Sequence, residues 1–188
     1  TKTVVMSPDF SMVAKHADQW LPLHAGSDGA FWQAATHVIL KEFHVDRQVP
    51  YFIDYVKRFT DCPFLVKLSD ETGAWLPGRM MRVSEVSDFK DAENGEWKFL
   101  NYDANTGNLV SPMGTSGYRW QDEQGKWNLN FNDGESGKEY DPELTFLSKN
   151  DGVVQVEFTE FGLDKKAHRG VPVRYITDTN GNKVPVAT

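Results

Sequence analysis

The sequence predicts an α/β fold for residues 1–68, followed by a mostly β region in residues 69–188. Two observations support this division. Up to residue 68, apolar residues recur at helical spacing between short β-branched runs, whereas beyond it apolar and polar residues alternate and turn dipeptides are frequent. The order β-α-β-α-α-β in the first part indicates a partial, Rossmann-like α/β module, and the second part is predicted to be a mostly β insertion.

The first predicted elements are two short strands joined by a helix. Thr3–Met6 is a β-branched run closed by Ser7-Pro8-Asp9, which predicts a strand followed by a turn. In Ser11–Asp18 the apolar residues can share one helical face, so a short helix is predicted there. Trp20–Leu23 is predicted as the second strand, and His24–Asp28 breaks the pattern.

The strongest predicted helix runs from Gly29 to Val45, because its apolar residues recur at helical spacing. Ser27 or Asp28 stands where an N-terminal cap is expected. Pro50 is placed to start a further helix, and Phe64–Leu68 is predicted as the third strand. These elements complete the α/β order.

Beyond residue 69, the predicted strands adjoin hairpin-type turns such as residues 103–108, 132–134 and 180–181. The predicted strands are Trp97–Tyr102, Leu109–Ser111, Trp127–Phe131, Val153–Phe158, Val173–Thr177 and Lys183–Val186. Only Ser84–Lys90 has a helical pattern, and a weak one. No repeat period is visible.

Composition excludes several classes of function. The net charge is −7 and no basic face is present, so the chain lacks the clustered Lys and Arg that bind nucleic acid. No apolar run approaches the roughly 20 residues of a membrane-spanning helix, and no signal-peptide pattern is present, so we expect this stretch to be soluble. The single cysteine, Cys62, cannot by itself hold an iron–sulfur cluster or a zinc ion.

Two loops of the predicted α/β module have the chemistry of a ligand site. Asp9 follows the first strand, where an acid can accept hydrogen bonds from ribose hydroxyls. Gly26-Ser27-Asp28-Gly29 opens the long helix, where free amides attract an anion or a polar ring edge, and Asp28 could accept two N–H bonds from a guanine. Taken singly, each aspartate is more often a turn former or a helix cap.

Histidine and tryptophan clusters suggest two other sites. His37 and His44 lie two helical turns apart, roughly 10 Å, which is too far for both to bind one metal ion unaided. Four tryptophans of the β region could form a sugar-binding platform, although aromatic residues in a β domain more often fill its core. They are Trp75, Trp97, Trp120 and Trp127.

Three runs near the N-terminus share a pattern with known proteins, and they are Val4–Ser11, Ala14–Leu23 and Ala25–Ala30. Together they resemble the cofactor-binding module of the molybdopterin oxidoreductase family. In that family a strand ends in Asp-Pro or Pro-Asp, an Ala-Asp-x-Trp step follows, and a Gly-Thr-Asp turn opens a helix. Further runs resemble, more narrowly, the catalytic alpha subunit of respiratory nitrate reductase, and they are residues 37–44, 51–66, 78–82, 96–98, 117–120 and 125–129.

The resemblance implies that this chain is an internal piece of a large subunit that reduces nitrate to nitrite. The piece by itself would be inactive. That subunit would carry two molybdopterin guanine dinucleotides on one molybdenum and one [4Fe–4S] cluster, with the metal and cluster ligands upstream of this piece. It would work with an iron–sulfur beta subunit and a membrane gamma subunit, at the cytoplasmic side of the cell membrane. The piece would contact the rest of the alpha subunit.

Six residues are implied as cofactor-binding by the resemblance. Ser7, Asp9 and Phe10 match the segment after the first strand, although Ser7-Pro8-Asp9 departs from the family's more frequent Asp-Pro-Arg order. Gly26, Ser27 and Asp28 match the turn that meets the guanine end, with Ser27 replacing the commoner Thr and keeping its hydroxyl. The rival hypothesis is a generic nucleotide-binding unit joined to a β-rich carbohydrate- or protein-interaction module.

Overall fold

The computed structural model of the chain describes residues 1–70, 73–114, 131–146, 149–159 and 166–188. It forms two compact units, Thr1–Ile53 and Asp54–Thr188. The boundary falls within helix α2 (Pro50–Phe59). Among the described residues no helix is both long and apolar enough to span a membrane.

The first unit is built on a two-stranded parallel sheet. Strand β1 (Val4–Ser7) pairs with β2 (Gln19–Pro22), and Ser7 lies opposite Pro22. A 3-10 turn at Ala14–His16 lies in the connection. Because the strands are parallel, both end at the same edge of the sheet.

The helical part of the first unit buries little. Helix α1 (Asp28–Ile39) continues into a π-helical stretch, Leu40–Asp46, and no residue of either is buried. Ala14, 3% exposed, is the one buried residue of the unit, whereas Trp32 on α1 is 58% exposed. Helices in proteins gain most of their stability by burying an apolar face, so the apolar side of α1 is left on the surface of this unit.

The second unit contains a closed five-stranded barrel. Its strands, in order around the barrel, are β3 (Val66–Asp70), β4 (Trp75–Met80), β7 (Gly152–Thr159), β8 (Lys166–Thr177) and β9 (Lys183–Ala187). All neighbours are antiparallel except β4 and β7, whose parallel contact has Trp75 opposite Val156. Closing the barrel leaves none of these strands as a free sheet edge.

Strand β8 is long enough to pair with two other strands along its length. Its residues 166–173 pair with β7, and residues 174–177 pair with β9. The barrel strands contribute one buried cluster, Leu68, Val156, Val173 and Ala187. A larger cluster combines strand residues with the turns that follow β4, and it consists of Leu65, Met81, Val83, Val86, Leu100, Tyr102, Phe146, Ile176 and Val186.

Between β4 and β7 the described chain consists of turns and one short hairpin. The predicted helix at Ser84–Lys90 is instead two 3-10 turns, Val83–Glu85 and Ser87–Phe89. The hairpin of β5 (Asn101–Tyr102) and β6 (Leu109–Val110) lies at the predicted position. Most of the strand predicted at 127–131 lies outside the described residues.

The prediction of a Rossmann-like α/β module in residues 1–68 is wrong. Among the described residues the parallel sheet consists of β1 and β2, and β3, predicted as its third strand, pairs antiparallel with β4 and β9 in the barrel. Apolar periodicity identifies a strand but not its partners, and β4 follows β3 after only a short connection, which favours local antiparallel pairing. The described chain is mostly β, with two α-helices. The division at residue 68 into a cofactor-binding segment and an insertion stays a prediction.

Candidate functional site

The two predicted loops leave the same edge of the β1–β2 sheet. The first loop begins at Ser7, at the end of β1, and the second begins at Leu23, directly after β2. The Leu23 amide donates to the Ser7 carbonyl at 3.4 Å, so the two loops are joined where they begin. The parallel pairing therefore brings together two segments that are separated in sequence.

Trp20 shapes the first loop from the neighbouring strand. Its indole Nε1 donates to the Ser7 carbonyl at 3.2 Å and to the Ser7 hydroxyl at 3.1 Å. The hydroxyl in turn donates to the Asp9 carbonyl at 2.6 Å, and the Phe10 ring lies edge-on to Trp20 with centroids 5.3 Å apart. Ser7 and Phe10 thus hold the loop, and the Asp9 side chain is exposed. The sequence placed Trp20 in a strand and in the Ala-Asp-x-Trp step, but it gave no sign that Trp20 holds the first loop in place.

The second loop is open around its glycines. Gly26 adopts φ +84°, a left-handed conformation that favours glycine, and beyond the adjacent backbone no atom of the described chain lies within 4 Å of where a Cβ would stand at Gly26 or Gly29. Asp28 begins α1 and is exposed. Another molecule could therefore approach this backbone closely.

Ser27 is the N-cap residue of α1, as predicted, but its side chain forms no capping hydrogen bond with the helix. Its hydroxyl donates to the His24 carbonyl at 2.6 Å instead, and the first helical bond runs from the Phe31 amide to the Ser27 carbonyl at 3.1 Å. The amides of residues 28–30 precede that bond, so they have no acceptor within the helix. Together with the Asp28 carboxylate, they fit the polar edge of a purine, which presents both donors and acceptors.

No group of three or more His, Cys, Asp or Glu side chains suited to metal binding occurs in the part of the chain that the structure describes. His37 lies near the end of α1 and His44 in the π-helical stretch, where burial lowers the pKa of the His44 imidazole. A lowered pKa favours the neutral ring at pH 7.

The tryptophan platform receives no support from the described residues. Trp75 packs against the barrel cluster of Leu68 and Val156, as a core aromatic residue would, while Trp97 is half exposed. Trp120 and Trp127 lie outside the described residues.

Comparison with known proteins gives relatives over most of the chain. No protein-family model matches. The respiratory nitrate reductase 1 alpha chain of Escherichia coli K12 is 43% identical over 169 residues, which cover 89% of this chain and 13% of that protein. The nitrate reductase 2 alpha chain of the same organism is 40% identical, covering 100% of this chain and 16% of its own length. The nitrate reductase alpha chain of Bacillus subtilis 168 is 37% identical, covering 100% and 15%.

A more distant relative is the perchlorate reductase subunit alpha of Dechloromonas aromatica, 32% identical over 117 residues. The relatives named here are thus alpha chains of reductases. The chain belongs to the family of nitrate reductase alpha chains. It spans about one seventh of the length of the three nitrate reductases, 13–16% of each.

Proposed function

We propose that this chain is part of the catalytic subunit of a nitrate reductase and forms part of the wall around the guanine end of a molybdopterin guanine dinucleotide. The observation that carries the proposal is the exposed Asp28 carboxylate beside helix amides that have no acceptor within the helix. Membership of the nitrate reductase alpha-chain family supports it.

Each loop has a distinct part in the proposed site. The Asp28 carboxylate accepts the N–H donors of the guanine edge, and the open glycines on either side let the ring approach the backbone. The helix amides offer donors to the ring's acceptors. Asp9 accepts from a ribose hydroxyl, on a loop that Ser7, Phe10 and Trp20 hold in place.

The contribution of this chain to the reaction is binding and orientation. When bound, the molybdenum of the cofactor supplies the oxygen transfer that converts nitrate to nitrite, and the protein positions it. The ligands of a [4Fe–4S] cluster would come from other parts of the subunit, since Cys62 is the single cysteine here. The resemblance implies that the molybdenum ligand lies in an upstream part as well. The partners in this proposal are the rest of the alpha subunit, an iron–sulfur beta subunit and a membrane gamma subunit, at the cytoplasmic side of the membrane.

The proposal predicts that Asp28→Ala in the full-length alpha subunit lowers cofactor retention. The variant loses the acceptor for two guanine N–H groups, so we expect several-fold less molybdenum per purified subunit, and equally less GMP released by acid hydrolysis. Asp46→Ala is the matched control, because Asp46 forms a surface ion pair with Lys41 in the same unit. Unchanged molybdenum and GMP in Asp28→Ala would contradict the proposal.

Calorimetric titration of the 188-residue chain with GDP and with ADP tests the guanine specificity directly. GDP binding that Asp28→Ala abolishes would support the assignment of the loop. Binding of both nucleotides with equal affinity would contradict a guanine-specific contact and favour a generic nucleotide-binding unit.

A further inference from the structure

Two aspartate turns in the second unit have the same internal hydrogen bonds. In the first, the Asp103 amide donates to the Asn108 carbonyl at 2.9 Å, and the Gly107 amide to the Asp103 carbonyl at 2.7 Å. In the second, the Asp133 amide donates to the Lys138 carbonyl at 2.9 Å, and the Gly137 amide to the Asp133 carbonyl at 2.8 Å. Both bonds of the first turn thus recur in the second at an offset of 30 residues.

The side chains and glycines of the two turns correspond as well. The Thr106 hydroxyl donates to Asp103 Oδ2 at 2.7 Å, and the Ser136 hydroxyl to Asp133 Oδ2 at 2.6 Å. The glycines that close the turns, residues 107 and 137, adopt φ +74° and +70°. Residues 101–113 and 131–143 nevertheless share only Asp, Gly and Pro at equivalent positions, which explains why no repeat is visible in the sequence.

The Oδ1 oxygen of each aspartate accepts a hydrogen bond from a backbone amide of the other segment. Asp103 Oδ1 accepts from the Asp141 amide at 3.0 Å, and Asp133 Oδ1 accepts from the Ser111 amide at 3.1 Å. Ser111 and Asp141 are each eight residues beyond the aspartate of their own turn. The contacts are therefore reciprocal, as at the interface of a two-fold symmetric dimer.

Two further pairs of backbone bonds obey the same symmetry. The Ala104 amide donates to the Asp141 carbonyl at 2.7 Å, and the Gly134 amide to the Ser111 carbonyl at 2.7 Å. The bonds from Glu143 to Tyr102 and from Met113 to Asn132 are both 2.9 Å. Every one of these contacts joins one turn to the other.

Charged side chains break the symmetry of the two turns, because they join the second turn to α2 and to β8. Lys57 on α2 binds Asp141 at 2.5 Å, and Arg174 on β8 lies 2.7 Å from Glu143. The equivalent positions of the first turn hold Ser111 and Met113, which carry no charge. The second copy alone therefore forms ion pairs with α2 and with the barrel at these positions.

We propose that residues 101–113 and 131–143 are two copies of one structural motif. They lock one another in place, because the aspartate carboxylate of each copy accepts a backbone amide of the other. The locked pair opens and closes as one cooperative unit, and its second copy ties α2 to barrel strand β8. Each aspartate thus holds both its own turn and the opposite one.

Amide hydrogen exchange in the 188-residue chain, read residue by residue by NMR, tests this proposal. We expect Asp103→Ala to raise the exchange rate of the Asp141 amide about tenfold or more, and Asp133→Ala to do the same for Ser111, because each amide loses its acceptor. The effect thus falls on the turn that was not mutated. Exchange that rises only within the mutated turn would overturn the proposal.

Asp178→Ala is the matched control. Asp178 accepts the amides of Asn180 and Asn182 within the single β8–β9 hairpin, so its loss should raise exchange in that turn only. In a double-mutant cycle, Asp103→Ala and Asp133→Ala should be non-additive, whereas Asp103→Ala with Asp178→Ala should be additive.

A measurement on the unmodified chain covers the case in which the alanine variants do not fold. With increasing denaturant, the Ser111 and Asp141 amides should converge on one exchange profile, since they belong to one opening unit. Two separate profiles would contradict mutual locking.

Discussion

At the scale of single residues, Asp103 shows how one buried carboxylate organises several parts of the chain. Burial alone raises its pKa, but hydrogen bonds from the Thr106 hydroxyl and from the amides of Asp141, Asn105 and Thr106 outweigh burial and hold the pKa below its usual value. The charged form is therefore the one that the fold stabilises.

The lowered pKa of Asp103 predicts a loss of stability in acid. A depressed carboxylate pKa adds stability that is fully present above the unfolded value, near pH 4, and is lost as the pH falls through the folded value. We expect the free energy of unfolding, measured by urea denaturation between pH 7 and pH 3, to fall less steeply in Asp103→Asn than in the unmodified chain. Identical acid slopes in both proteins would contradict this assignment.

Glu143 illustrates the opposite balance. Burial raises the pKa of its carboxyl group, and the nearby Arg174 guanidinium lowers it without cancelling the effect of burial. Arg174 is itself held by more than charge, because its guanidinium lies 4.4 Å from the Tyr102 ring centroid and 5.0 Å from that of Phe146. Arg174 therefore joins β8 to the second aspartate turn by its ion pair with Glu143, and to Tyr102 of the first copy by a ring contact.

At the scale of elements, strand β7 carries two valines that differ in burial. Val156 is 1% exposed and lies opposite Trp75, where the barrel closes between β4 and β7, whereas Val153 is 62% exposed. The alternation along the strand thus decides which side chains contribute to the core.

This contrast predicts unequal effects of one substitution. Val156→Ala removes buried methyl groups and leaves a cavity, so it should lower the free energy of unfolding by about 2 kcal/mol. Val153→Ala is the matched control and should change it by less than about 0.5 kcal/mol. Chemical denaturation measures both, and equal effects would refute the burial assigned to β7.

At the scale of the whole molecule, the two units differ in how much they bury. Ala14 is the one buried residue of Thr1–Ile53, whereas the second unit holds two clusters of buried apolar residues. Local stability follows the burial of apolar contacts, so the first unit should open more readily than the barrel.

Hydrogen exchange with mass spectrometry on the 188-residue chain should reveal this difference. We expect peptides from residues 1–53 to exchange at least about tenfold faster than peptides from the barrel strands β8 and β9, because less burial opposes their opening. Equal protection of both regions would contradict the burial pattern of the first unit.

The sequence alone determined the family, together with many of the local elements. The hairpin of residues 173–186 was predicted from its strands and Asn-Gly turn, and the structure confirms it in β8 and β9. The two candidate loops were also identified from residue type and position. Turn chemistry and apolar periodicity are local properties, so they can be read within a few neighbouring residues.

The tertiary structure alone decided which elements became partners. Strand β3 was predicted for a parallel α/β sheet and joins a barrel with β4 and β9 instead. The exchanged contacts of Asp103 and Asp133 likewise join residues far apart in sequence, through backbone amides that leave no signature in residue type. Which strand or amide becomes a partner depends on which groups the folded chain brings close together. The local sequence pattern does not specify this.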